Sequence, residues 1–206
     1  MSKLLVLNVN PSGSSINVTV ANKFLDTYKK NNPKDTVTWL DLFDIYVPEL
    51  NTDTLATWEA LGKGKSVSEL TENQQKQYNG SNQLLDQFLD HDKYILITPL
   101  WNGIVPARLH NYLDLLCVPR KTFQYGESGP QGLITGKKAL HIHASGAVVK
   151  DNEISIADEF VKGVFSLIGV KDYELLLIHG HQQNRDKAEE IEKEAIERAK
   201  QLADKF

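Results

Sequence analysis

The sequence predicts an α/β domain: a doubly wound, five-stranded parallel sheet of order 2-1-3-4-5 with helices on both faces. Three observations carry that prediction. Four short runs are almost continuously apolar, "KLLVLNV" (3–9), "KYILIT" (93–98), "KALHIH" (138–143) and "YELLLIH" (173–179). Strands of that kind are covered on both faces, as in a parallel sheet between two helix layers. Segments of helical periodicity fall between them, and right-handed crossovers then place helices on both sides. The length of 206 residues suits a single domain, 1–206, with a full core.

Each element has its own signal. A fifth run, "TVTWLDL" (36–42), alternates and suits an edge strand. Residues 15–30 space Ile16, Val20, Phe24 and Tyr28 every four positions, so they share one helical face. A helix over 71–90 begins with Thr71 and carries Leu84, Leu85, Phe88 and Leu89. Pro106 starts the next helix, where its missing N–H is not needed, and Leu109, Leu113 and Leu116 follow inward. Ser155 and Asp158 stand at capping-box spacing before a helix that stops at Gly169. The last helix, from about Asp186, buries Ile191, Ala195, Leu202 and Phe206, and its "EEIEKEAIERAK" charges form the solvated face. Two stretches exceed a minimal version. Residues 48–70 form an excursion with Leu55, Trp58 and Leu61 at helical spacing, and 118–136, "VPRKTFQYGESGPQGLITG", reads as a long Gly/Pro-rich functional loop.

Composition excludes several classes. With 23 Lys+Arg against 27 Asp+Glu the net charge is −4, and the cations are scattered, which argues against a nucleic-acid partner. No stretch approaches the roughly 20 apolar residues of a membrane span, and the first residues do not read as a signal peptide, so a cytoplasmic location is expected. The single cysteine, Cys117, can form neither an internal disulfide nor a cysteine zinc site, and reads as a buried thiol at a helix end.

In such a sheet, ligands bind beyond the carboxyl ends of the strands where strand order reverses, here between the first and third strands. "NPSGSSIN" (10–17) follows the first, and "PLWNG" (99–103) the third. The former has neither GxGxxG nor a Walker lysine. It offers hydroxyls, amides and the free N–H groups of a helix N-terminus, which suit a single phosphate but would also serve as a plain N-cap. In the latter, Trp101 can wall a flat ring and Gly103 permits close backbone approach. "ASGA" (144–147) adds a small-residue turn. Phosphate pocket, ring wall and turn together describe a flavin mononucleotide (FMN) site.

The paired blocks "PLWNGIVPARLHNYLDLL" and "KTFQYGESGPQGLITGKKAL" resemble the FMN-dependent NADH azoreductases, also called NADH:quinone oxidoreductases. Weaker matches, "KLLVLNVNPSGSSINVTVANKFLDTY" and "VVKD", extend the likeness over most of the chain. The resemblance implies a flavodoxin-like fold, a homodimer with FMN at its interface, and ping-pong transfer of two electrons from NADH to a quinone or azo compound. By position it implies Asn10, Ser15, Ile16 and Asn17 at the phosphate, and Leu100, Trp101, Asn102 and Gly103 against the isoalloxazine. Ala144, Ser145, Gly146 and Ala147 meet its far edge. Asn17 departs from the family, where a Ser is common, and Ala147 stands where a second Gly is usual. On the substrate side are Phe123 and Tyr125 of the long loop, and His143. A second protomer is expected to cover surplus apolar residues on the excursion and on the helix after Pro106.

A flavodoxin-type electron carrier is the alternative, but such carriers show a strongly acidic docking face and a Thr-rich phosphate loop, which this sequence lacks. His141 and His143 share one face of the fourth strand, and His179 and His181 lie near the end of the fifth. No carboxylate is placed in either run, and a buried histidine needs only one hydrogen-bond partner, so no metal is expected. No nucleophile elbow is present, in keeping with chemistry done by a cofactor.

Overall fold

A computed structural model of the chain describes residues 1–127, 129–149 and 156–206. Its main sheet has five parallel strands in the order β2-β1-β3-β6-β7: β1 (Lys3–Asn8), β2 (Thr36–Asp41), β3 (Lys93–Pro99), β6 (Lys138–Ser145) and β7 (Asp172–His179). This is the expected 2-1-3-4-5 order, with the alternating run at the edge as β2. The helices are α1 (Ile16–Asn31), α2 (Thr52–Gly62), α3 (Glu72–Leu89), α4 (Ala107–Leu116), α5 (Ile156–Ile168) and α6 (Ala188–Ala203).

Alternation along the strands divides the core in two. Leu4 and Val6, Ile95 and Ile97, and Leu140 and Ile142 point toward α1 and α6, where Phe24, Tyr28, Ala195 and Ala199 meet them. Leu5 and Leu7, with Tyr94 and Leu96, point to the other side against Phe88 of α3, Leu109 and Leu113 of α4, and Phe165 of α5. Phe88 and Tyr94 stack with ring centroids 4.0 Å apart. Burial of each such side chain contributes about 1.5–3 kcal/mol, so both helix layers are held chiefly by apolar contact.

Helix boundaries follow local chemistry. Thr71 caps α3, its hydroxyl accepting from the Gln74 N–H. Asn51 caps α2 within the 48–70 excursion, accepting from the Thr54 N–H. Pro106 stands at the N-cap of α4, one position before the helix proper. A short 3-10 turn at Arg185–Lys187 delays α6 by two residues relative to the expected start. The proposed cap at Ser155 lies outside the described residues.

Two expectations are corrected. The stretch 118–136 is not an irregular loop: it holds an antiparallel hairpin of β4 (Phe123–Gly126) and β5 (Gly129–Gly132). Its strand signal is hidden because β5 is Gly-Pro-Gln-Gly and Pro130 has no N–H for a ladder. The helix after Pro106 has no surplus apolar face, since Leu109, Leu113 and Leu116 are fully buried within the chain. Leu55 and Trp58 of α2 do remain more than half exposed.

Candidate active site

The first wall of the site is the turn from β1 into α1. Asn8, the last residue of β1, fixes the turn: its Oδ1 accepts from the Asn10 N–H at 3.2 Å, and its Nδ2 donates to Asp41 at 2.6 Å. Asn10 Oδ1 then accepts from the Ser12 N–H at 3.0 Å. Asn17, fully buried in the first turn of α1, receives three donors on its Oδ1: Asn10 Nδ2 at 3.0 Å, the Ser15 hydroxyl at 2.7 Å and the Val18 N–H at 3.0 Å. Its Nδ2 is buried with no partner among the described residues. Ser15 is the N-cap but its side chain does not cap, so the backbone N–H groups of Ile16 and Asn17 also find no acceptor among the described residues.

The second wall answers what Trp101-Asn102-Gly103 does at the end of a core strand. Asn102 and Gly103 have φ of 54° and 82°, and the Trp101 and Ile104 backbones exchange N–H···O=C bonds of 3.0 and 3.1 Å. Positive φ at both central residues marks a type I′ turn, for which Asn-Gly is the favoured pair. The turn lifts Trp101, 42% exposed, over the strand ends, with its ring 6.3 Å from that of Phe43. Leu100 is tied down by its N–H to the Ala144 carbonyl at 2.7 Å.

The third wall is the turn after β6, fastened to the loop after β7. Gly180 N–H lies 3.1 and 3.0 Å from the carbonyls of Ser145 and Ala147, and Gln182 and Gln183 both donate to the Gly146 carbonyl. The three walls enclose a crevice of about 590 Å³ on the α1/α6 side of the strand ends. Of the residues expected from the sequence, Asn10, Ser15, Ile16, Asn17, Leu100, Trp101, Ala144 and Gly146 line it. Asn102, Gly103, Ser145 and Ala147 belong to the flanking turns; Ser145 is buried, its hydroxyl donating to the Ala147 carbonyl.

The expected substrate-side residues lie apart from this crevice. Tyr125 is 76% exposed near the hairpin tip, while Phe123 is buried at its base with the two rings edge-on at 5.5 Å. His143 has no exposed surface, so within this chain it sits behind the strand ends and reaches no substrate directly. It belongs to a buried network on the α5 side of the sheet. Thr98 Oγ1 lies 2.7 Å from both His143 Nδ1 and His141 Nε2, and His141 Nδ1 donates to Asp158 Oδ1 at 2.9 Å. The Tyr173 hydroxyl donates to the same oxygen at 2.6 Å. Burial alone would raise the Asp158 carboxyl, but the hydrogen bonds from His141 and Tyr173 outweigh it and hold it below the usual range. Burial, reinforced by neighbouring His141, depresses His143 to about 3, so it is neutral at pH 7. The sequence reading placed no carboxylate near these histidines; Asp158 arrives from α5. Among the described residues no three metal-ligating side chains gather. Cys117 is half-buried at the end of α4, and burial raises its thiol.

Five lining residues lay outside the stretches singled out in the sequence: Thr19, His181, Gln182, Ala188 and Glu192. His181 was grouped with His179 as a strand pair, but β7 ends at His179 and Gly180 turns the chain back. The available signal was the rule that residues beyond the carboxyl end of a strand face the crevice. The donor set fits a phosphate and an attached flat ring. It holds an orphaned buried amide, two free helix N–H groups, hydroxyls, and an indole above a small-residue floor. Among the described residues no lysine or arginine lines it.

Comparison with known proteins agrees with this geometry. A family model described as a flavodoxin-like fold matches residues 2–203. Curated relatives named FMN-dependent NADH:quinone oxidoreductase are 38% identical in Geobacillus kaustophilus and 37% in Bacillus cereus, each aligned over 100% of both chains. An azoreductase from Bacillus anthracis superposes with a TM-score of 0.91 at 36% identity, covering both chains completely. An FMN-dependent NADH-azoreductase of the same organism, solved in complex with FMN, superposes at 0.87 with 30% identity, over 98% of this chain and 100% of that one. Matched by the family model over nearly its whole length and more than a third identical to these enzymes over complete chains, the chain belongs to the flavodoxin-like family of FMN-dependent NADH:quinone oxidoreductases and azoreductases.

Proposed function

We propose that this protein is a cytoplasmic, homodimeric FMN enzyme that moves two electrons from NADH to quinones and reductively cleaves azo compounds, the two substrates occupying one site in turn. The observation that supports it most is the buried, unpartnered Nδ2 of Asn17 facing a crevice that also presents two free helix N–H groups. A buried donor without an acceptor costs about 1–3 kcal/mol, a cost relieved when a phosphate oxygen fills the place. Bound FMN would supply the redox chemistry, taking electrons from NADH and giving them to the acceptor.

The chain's own residues bind, orient and enclose. Asn10, Ser15, Ile16 and Asn17 hold the phosphate, with the N-terminal end of α1 favouring its charge. Leu100 and Trp101 wall the ring, and the Asn102–Gly103 turn brings backbone N–H groups to its polar edge. Ala144, Ser145, Gly146 and Ala147 leave room at the far edge because none carries a bulky side chain. NADH and acceptor must lie flat on the open face, which one chain leaves uncovered. The half-exposed Leu55 and Trp58 supply apolar surface for a second copy to close it. Tyr125, exposed on its hairpin, is the group best placed to stack on a substrate from either protomer. NADH is preferred over its phosphorylated counterpart because no arginine cluster awaits the extra phosphate.

Purified protein should show flavin absorption and release FMN, not FAD, on heating. NADH alone should bleach that absorption, and benzoquinone should restore it. Colourless protein that takes up no added FMN overturns the proposal. Bleaching that requires a separate reductase would instead indicate an electron carrier. Trp101→Ala should lower flavin retention, and Leu55→Glu should weaken the dimer and depress turnover together. A fully active monomer in sedimentation would remove the shared site.

A further inference from the structure

The crevice has a second buried nitrogen without a partner among the described residues. His181 lines it from the loop after β7, and its Nδ1 is buried with no partner among the described residues. Among the described lining residues, His181 is the sole imidazole and Glu192 the sole carboxylate, and no lysine or arginine is present. Glu192, on α6, brings negative charge to the same side. A phosphate dianion next to Glu192 needs compensating donors, and the α1 residues that line the crevice, Ile16, Asn17 and Thr19, carry no charge.

The loop holds His181 in position. Gly180 adopts φ +80°, and a Cβ there would come within 2.9 Å of Val148 Cγ2. Its N–H lies within hydrogen-bonding distance of the Ser145 and Ala147 carbonyls; on the other side of His181, the Gln182 N–H donates to the Gly146 carbonyl at 3.1 Å. Asn184 N–H closes the turn onto the Gly180 carbonyl at 2.8 Å, and the Gln183 side chain accepts from the Val148 N–H. Backbone bonds thus clamp the chain on both sides of the imidazole, so its ordering cost is met before any ligand arrives.

We propose that His181 is a phosphate ligand of the crevice, donating from its imidazole together with Asn17, and that it makes the site select a phosphorylated flavin over the bare one. The proposal rests on the FMN reading above and adds the residue that discriminates within it. Asn17 and His181 then contact the phosphate from two elements, the amide from the first turn of α1 and the imidazole from the loop after β7. Removing a donor to a charged group weakens binding by roughly tenfold or more.

The test is fluorescence titration of the full-length chain, stripped of flavin, with FMN and with riboflavin. Wild type, His181→Ala and His181→Gln are compared, with thermal unfolding of each confirming the fold. Wild type should bind FMN far more tightly than riboflavin. His181→Ala should lose at least tenfold in FMN affinity while riboflavin changes less than twofold. His181→Gln, which keeps an N–H donor of different reach, should fall between. Equal FMN affinity in wild type and His181→Ala overturns the proposal, as does an equal loss for both flavins. Wild type that binds neither flavin fails the FMN reading itself, a result distinct from either.

Discussion

Polar residues gather on both sides of the sheet near the carboxyl ends of its strands, and the two sides are finished differently. On the α5 side, Thr98, His141, Asp158 and Tyr173 bond to one another, and His143 joins them through Thr98. On the α1 side, Asn17 and His181 each keep a buried nitrogen without a partner among the described residues. Both regions are rich in the residues that attract attention in a sequence, and the histidine pair on β6 draws more notice than the asparagines. The difference teaches that residue type marks neither region as functional; satisfaction does. A network that closes on itself orders β3, β6 and α5 against one another. A set of donors held in place yet left open is prepared for something that arrives later.

The sharpest way to break this comparison is a charge placed on the open side. Asn17→Asp keeps an acceptor for Asn10, Ser15 and Val18 but replaces the orphaned donor with a carboxylate oxygen. Two unit charges about 4 Å apart repel by roughly 4 kcal/mol at an effective dielectric of about 20, so FMN affinity should fall a hundredfold or more. Stability without flavin should fall by less than FMN binding does, because the free N–H groups in the first turn of α1 favour a carboxylate there. An unchanged FMN titration would move the phosphate away from α1.

On the closed side the corresponding change should cost stability instead. Asp158→Ala leaves His141 and Tyr173 buried without their common acceptor and should lower unfolding free energy by about 3 kcal/mol. Denaturant melts with intact FMN affinity at low denaturant would separate the two regions; lost FMN affinity in a folded variant would join them.

Acid provides a finer probe. His143 is held neutral down to about pH 3, whereas the unfolded chain protonates it near its ordinary value of about 6.5. Between those limits the unfolded state binds the extra proton, so stability is full above about 6.5 and declines as pH falls. The slope approaches about 1.4 kcal/mol per pH unit. Asp158, depressed in the fold, adds a further loss once pH drops through the carboxylate range. His143→Gln should flatten the first part of that decline in pH-dependent melts, and an unchanged slope would show that other groups govern it.

The smallest expected effect concerns the turn that carries Trp101. Gly103 has φ of 82° and open space around its missing Cβ, so Gly103→Ala meets backbone strain without a clash. A loss of about 1 kcal/mol in thermal stability is expected. A much larger loss would mean that the turn organises more than its own two residues.

Much of the scaffold could be read in advance, and particular residues show why. Leu4 to Leu7 are apolar on both faces because both faces are covered, and that pattern is visible without coordinates. Gly103 was read only as permitting close backbone approach, although the Asn102–Gly103 pair also carries the signal of its turn, since only a few residue pairs tolerate positive φ twice. The β4–β5 hairpin went unread because Gly and Pro weaken strand patterns even where pairing occurs. His181 went unread because its role depends on Gly180 reversing the chain toward the turn at 145–147, a contact between segments 35 residues apart.

Local rules therefore settle the order of elements and the type of turn at each strand end, since these depend on propensities and periodicities that neighbours in sequence share. Which polar groups end up satisfied is a different matter. Whether His141 meets Asp158, or Asn17 and His181 meet nothing, depends on how α5, α1 and the loop after β7 pack on the finished sheet. A hydrogen bond requires donor and acceptor within about 3 Å, and tertiary packing alone sets that distance between residues far apart in the chain.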